Sequence, residues 1–137
     1  MKSTILTSLG VIGSFIAGLF GGWDSSIITL LIFMIIDFIS GLVVAGIFHK
    51  SKKTSTGTLE SRAGWKGLFK KGMTLFIVIV GNRLDIQLGT TYIRDAICIA
   101  FISNEVISII ENAGLMGIPI PSFLINAIDL LKKQKEE

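Results

Sequence analysis

From Ser3 to Phe48 the chain carries no Lys, Arg or His, and its only acids there are Asp24 and Asp37. The stretch Ile5–Trp23 offers no polar face, which a helix resting on a water-soluble core would need. Ile27–Phe48 interrupts its apolar run with only Thr29, Asp37 and Ser40 among polar residues. A bilayer core takes about 20 predominantly apolar residues per helix. Four stretches meet that requirement and predict spans over residues 4–22, 26–48, 68–88 and 92–110. The third has its apolar centre at Met73–Val80 and carries Arg83 and Asp85 at its far end. Arg94, Asp95, Asn104 and Glu105 interrupt the fourth. These interruptions leave open a three-span reading, with one segment re-entrant or on the surface.

The first span has a competing reading as a signal peptide, with Lys2 as its basic start and Thr4–Phe20 as its apolar region. The stretch is long for that role, lacks a clear small-x-small site, and is followed within a few residues by a second span. It reads as a retained helix.

Composition agrees with a membrane setting. Mean hydropathy is +0.72, 50% of residues are hydrophobic and 17% are charged, against about a quarter charged in soluble domains. Of the 13 basic residues, Lys2, Lys50, Lys52, Lys53, Arg62, Lys66, Lys70, Lys71, Lys132, Lys133 and Lys135 fall on one side of a four-span hairpin pair. Only Arg83 and Arg94 fall on the other. Because Lys and Arg in short loops favour the cytoplasmic side, both termini are expected in the cytoplasm.

The expected fold is an all-α integral membrane protein with about four transmembrane helices in two hairpins. A short amphipathic surface helix, residues 122–133, follows in the same single domain, 1–137. A basic cytoplasmic loop, 49–64, joins the hairpins. Trp23 is placed as an interfacial anchor, and the segment WKGLFKK puts Lys66, Lys70 and Lys71 at the inner headgroups. Gly114–Pro121 breaks the chain after the fourth span, and Ser122 can cap the surface helix.

The net charge of +3 and pI near 9.2 follow from this topology and from attraction to anionic membrane lipids, so no nucleic-acid partner is expected. Cys98, the single cysteine, cannot form an intrachain disulfide. His49 sits at the end of the second span, where it caps the helix or meets headgroups. Neither metal-ligand spacing, a nucleophile–base pair nor a phosphate loop is visible. No cofactor, metal or enzymatic activity is expected.

Candidate functional residues are therefore polar or small groups inside the spans. Gly10, Ser14, Gly18 and Gly22 recur four apart and form a groove for close helix approach, either against span two or against a second copy. Asp37, Gly41 and Ala45 share one face of span two. A carboxylate near the bilayer midplane costs about 2.5–3.5 kcal/mol on insertion scales, so Asp37 must face protein or water. Asn104, Glu105, Ser108, Glu111 and Asn112 form a polar stripe at helical spacing. A structural network, a water-lined pore wall and a transport relay all remain open for these groups.

Asp37 with Gly41, the basic loop, and then Gly67–Lys71 recur in an order that resembles the toxin-secretion and phage-lysis holin family, which includes clostridial toxin-release holins. A more specific block runs from Asn104-Glu105 through Ser108-Ile109 and Asn112 to Gly117, Pro119, Pro121 and Leu124. The resemblance covers about Ile36 to Leu124. It implies a protein that oligomerises in the bacterial cytoplasmic membrane and opens lesions, releasing an endolysin or toxin as cargo rather than as a bound partner. It leaves room for an antiholin partner. Carried onto this chain, it marks Asp37, Gly41, Lys70, Lys71, Glu105, Ser108, Asn112, Gly117, Pro119 and Pro121. On that reading Asp37, Asn104, Glu105, Ser108 and Asn112 govern gating, and Gly117, Pro119 and Pro121 break the helix. Relatives are often described with three spans, whereas four stretches qualify here. The competing readings are a small ion channel or transporter, and a non-pore scaffold or antiholin.

Overall fold

The computed structural model describes residues 1–136. Among them every regular element is a helix. Helix α1 covers Lys2–Phe20 and stops at Gly21, whose φ of 83° is left-handed. The turn closes with the Gly22 N–H on the Ala17 carbonyl at 2.7 Å. Only a glycine fits at Gly21, because a Cβ there would lie 2.6 Å from Asn82 Oδ1. Helix α2, Ser25–Val43, starts on Asp24, whose carboxylate accepts the Ile27 N–H at 3.1 Å. It continues as a wider π-helical turn, Val44–Phe48.

Helix α3, Ser61–Leu88, has 28 residues. It begins a full two turns before the expected third span and absorbs the last part of the segment predicted as loop. Helix α4, Ile93–Leu115, has 23 residues and runs past the expected end of the fourth span. Both are long enough for a bilayer core of about 30 Å at about 1.5 Å per residue. Gly117, with a φ of 86°, and the extended segment to Pro121 then turn the chain. Helix α5, Ser122–Glu136, begins with the Pro121 carbonyl accepting the Leu124 N–H at 3.0 Å, so Ser122 is its first residue rather than its cap.

Helices α3 and α4 pack as a sequential hairpin, but α1 and α2 do not. Helix α2 packs mainly against α4, α4 also against α3, and α1 against α3. The reason lies in side-chain chemistry. The Asp37–Gly41–Ala45 face of α2 finds its polar complement on α4, whereas α1 has nothing comparable to offer. Asp24 lies beside Arg94, and Asp37 beside Ser108 and Asn112, so α2 and α4 run in the same direction. Helix α3 runs against them, with Asp85 at the start of α4 and Lys71 beside Glu105. Between these levels Ile27, Leu30, Met34, Val78 and Cys98 form a dry core.

No residue of α1 is buried, and Ile5, Leu6, Leu9, Val11, Ile12 and Phe15 are exposed along it. On α3 the exposed residues Trp65, Phe69, Met73, Phe76, Val80 and Leu84 recur at helical spacing. Apolar surface on this scale needs a cover other than water. Helices Lys2–Phe20 and Ser25–Phe48 are long and apolar enough to cross a membrane.

Candidate functional site

Two polar layers interrupt the bundle. The inner one is built around a single ammonium. Lys71 Nζ on α3 donates to Asp37 Oδ2 on α2 at 2.8 Å, and to Glu105 Oε1 and Oε2 on α4 at 3.0 and 2.8 Å. All three side chains are largely enclosed, at 17% exposure for Lys71, 6% for Asp37 and 11% for Glu105. The remaining Asp37 oxygen, Oδ1, accepts from Ser108 Oγ at 2.5 Å and from Asn112 Nδ2 at 3.1 Å. Asn112 also donates to Ser40 Oγ at 2.8 Å. One lysine thus serves two carboxylates from two different helices, and the cluster carries a formal charge of −1.

Gly41 and Ala45 continue the Asp37 face toward the 49–60 loop. A Cβ on Gly41 would meet only Asn112 Nδ2 at 3.8 Å, ordinary contact, so this glycine gives close approach without being sterically obligatory. A cavity of about 130 Å³ opens here, lined by Asp37, Gly41, Lys71, Ser108 and Asn112, with Lys52 and Glu60 at its loop side.

The outer layer ties the α1–α2 turn to the α3–α4 turn. Asp85 accepts the Ile93 N–H at 3.0 Å and the Arg94 N–H at 2.9 Å, satisfying two free donors at the start of α4. The Arg94 guanidinium spreads over the end of α1. It donates to the Phe20 carbonyl at 2.8 Å, the Gly22 carbonyl at 3.4 Å and the Asp24 carboxylate at 2.5 Å. Asn82 adds bonds to the Gly18 and Leu19 carbonyls at 3.3 and 3.1 Å. Arg94 holds the Asp24 carboxyl below the ordinary carboxylate range, more strongly than partial burial raises it. The two layers are separated by the rise from Asp24 to Asp37, about 20 Å along α2.

The structure brings together Asp37, Glu105, Ser108 and Asn112 of the predicted stripe. It leaves Asn104 half-buried and outside this hydrogen-bond network. Glu111 turns away to pair with Lys132 of α5. Lys66 and Lys70 are exposed, but Lys71 points inward to the two acids instead of outward with them. Gly10, Ser14 and Gly18 lie on open surface, and a Cβ added at Gly10 or Gly18 would meet nothing within 4 Å. Of the two readings of that stripe, packing on α2 is therefore not what the structure shows, and approach of a second copy remains open. Gly22 instead offers its carbonyl to Arg94. Gly117, Pro119 and Pro121 fall in the α4–α5 connection, between Leu115 and Ser122.

Sequence reasoning missed the roles of Lys71, Asn82, Asp85 and Arg94. The signal was the inner stripe of α3. Lys71, Leu75, Val78, Asn82 and Asp85 recur at three- and four-residue spacing, opposite the apolar exposed stripe, and three of the five are polar.

A family model described as the bacteriophage holin family matches residues 14–133. Among similar proteins, an uncharacterised protein of Clostridium perfringens is 39% identical over 134 residues, covering 95% of this chain and 93% of its own length. One of Listeria innocua is 35% identical, over 90% of this chain and 85% of its own. One of Halalkalibacterium halodurans is 33% identical, over 96% of both chains. No solved structure matches.

Proposed function

The chain belongs to the bacteriophage holin family, and on that premise we propose that it accumulates in the bacterial cytoplasmic membrane, self-associates and opens lesions that let a cell-wall hydrolase or toxin leave the cell. The observation that carries this reading is the family match over nearly the whole chain. The geometry supports it in two ways. The acids are bonded inside each chain, so a monomer can rest in lipid without a water-filled path. Helix α1, with no buried residue and held mainly at its C-terminal end, leaves most of its surface available for other copies.

On this reading α1 to α4 cross the membrane, with both termini and the 49–60 loop in the cytoplasm. The outer layer of Asp24 and Arg94 then sits near the external interface. The Lys71 cluster lies about 20 Å inward, roughly two-thirds of the way through a core of about 30 Å. Arg94 ceases to be an exception to the charge rule, because it is engaged with Asp24 and helix carbonyls. Helix α5, whose Phe123, Ile125 and Leu130 are exposed, lies on the inner surface with its lysines toward the headgroups.

The test is induced expression in a bacterium, following membrane potential and release of a cytosolic reporter enzyme together. Abrupt depolarisation with enzyme release is the expected result. Depolarisation without release would shift the reading to a small channel, and an intact potential with the protein inserted would shift it to a scaffold or antiholin.

A further inference from the structure

The inner cluster is asymmetric in how its acids are satisfied. Asp37 keeps two neutral donors, Ser108 and Asn112, whatever Lys71 does. Glu105, among the described residues, accepts from Lys71 alone. Withdrawing the ammonium therefore leaves Asp37 bonded and Glu105 bare, in a position where a bare carboxylate is strongly destabilising. The charge sum is also uneven, because two carboxylates share one lysine. We propose that Lys71 and Glu105 form a latch holding α3 against α4, with Asp37 as a fixed post that Ser108 and Asn112 keep in place. Latch release is the step that regulates opening of the bundle; this regulatory role rests on the holin reading above, while the latch itself does not.

Placement supports the assignment. Lys71 reaches across from α3, the one helix of the three that runs opposite to the others, so its bond to Glu105 is the polar tie between α3 and α4 at this level. Asp85 ties the same two helices at the other end through the backbone of α4. That second tie accepts backbone N–H groups and cannot be released by a change of side-chain charge on α4. The Lys71–Glu105 tie can. Neutralising Glu105 removes the charge-assisted bond to Lys71 and loosens α3 from α4, though by less than withdrawing Lys71, which leaves a buried carboxylate bare.

The chain carries its own reporter. Cys98 is the only cysteine, is fully buried, and lies in the core between α2, α3 and α4. Its reaction with N-ethylmaleimide reads how often the bundle opens, because labelling of a buried group follows the population of the open state. The full-length protein is placed in phosphatidylethanolamine–phosphatidylglycerol vesicles and labelled over time. Lys71→Met is expected to label Cys98 faster by about tenfold or more, given the cost of an orphaned buried charge. Glu105→Gln, which loses the charge-assisted tie but orphans no charge, is expected to label faster than the parent and more slowly than Lys71→Met. The double variant Lys71→Met/Glu105→Gln should fall back to the Glu105→Gln rate, while Lys71→Met/Asp37→Asn should stay fast.

Equal rescue by Asp37→Asn, or no rescue by Glu105→Gln, would overturn the latch. Should Lys71→Met fail to insert, the Glu105→Gln single variant still decides, since labelling at or below the parent rate contradicts the proposal. Enzyme release from cells is scored in parallel. The predicted labelling order without release from any variant, the parent included, would sink the holin reading and leave the latch standing. Release by the parent with the labelling order absent would do the reverse.

Discussion

Gly81 offers a sharp test of how α3 and α4 meet. A Cβ built there would lie 2.5 Å from Ile97 Cδ1, 3.2 Å from Arg94 Cα and 3.5 Å from Arg94 N. The Ile97 methyl is the end of a flexible chain and can rotate away. The Arg94 backbone cannot, because its N–H is held by Asp85 at 2.9 Å and its guanidinium by the Phe20 carbonyl at 2.8 Å. Replacing Gly by Ala within a helix is worth about 1 kcal/mol in intrinsic propensity. Overpacking a tight contact costs about 1–3 kcal/mol. At Gly81 the clash is with backbone, so the cost wins and Gly81→Ala should be net destabilising. Gly72, on the same helix, has open space where an alanine methyl would go, with nothing within 4 Å, so Gly72→Ala should keep the propensity gain. The propensity gain is common to both, so the two alanine variants should differ by the overpacking cost alone, about 1–3 kcal/mol, measured by denaturant titration of helicity in dodecyl maltoside micelles. Equal stability, or a more stable Gly81 variant, would refute the close approach that places Lys71 within reach of Glu105.

Three further outcomes follow from the same contacts. Asn112→Ala removes one donor from Asp37 and should cost about 1–3 kcal/mol. Asn112→Asp, which sets a second carboxylate against Asp37, should cost more in the same titration, and a milder Asp variant would contradict the geometry. Asp24 ionises below its ordinary value of 3.8 because of Arg94, so its stabilisation is complete above that value and is lost as pH falls through the depressed one. Thermal stability in micelles should therefore decline below about pH 4, and Asp24→Asn should flatten that part of the profile. Lys132 and Glu111 are each 49% exposed, and exposed pairs contribute little, so Lys132→Ala should leave the unfolding midpoint unchanged.

The helices themselves were legible because apolar length and missing charge are local properties of the chain. So were the polar faces of Asp37 and of the Ser108–Asn112 stripe, since both had to avoid lipid, though not that the two faces meet. The partner of those acids was harder to read. Lys70 and Lys71 are neighbours in a segment whose charge satisfies the positive-inside tendency, and nothing local separates them. A helix turns about 100° between them, which sends Lys70 outward and Lys71 inward. Only the register of the whole of α3, with Val78, Asn82 and Asp85 on the Lys71 side, makes the difference. The pairing of α2 with α4 was hidden for a related reason. Sequence order favours neighbours, whereas complementary polar faces selected a partner two helices away. Arg94 read as an isolated external charge because its acceptors are mostly main-chain carbonyls, which leave no signature in side-chain pattern.

The grip on α1 bears on how this segment can diverge. Asn82 and Arg94 hold it by the carbonyls of Gly18, Leu19, Phe20 and Gly22, and main-chain atoms are the same whatever residue carries them. Contacts within the chain thus constrain Ile5–Phe15 by oiliness alone, whereas the residues that do the holding, far away on α3 and α4, are not interchangeable. Lineages descended from a common ancestor should keep Asn82 and Arg94 while rewriting the first helix almost freely.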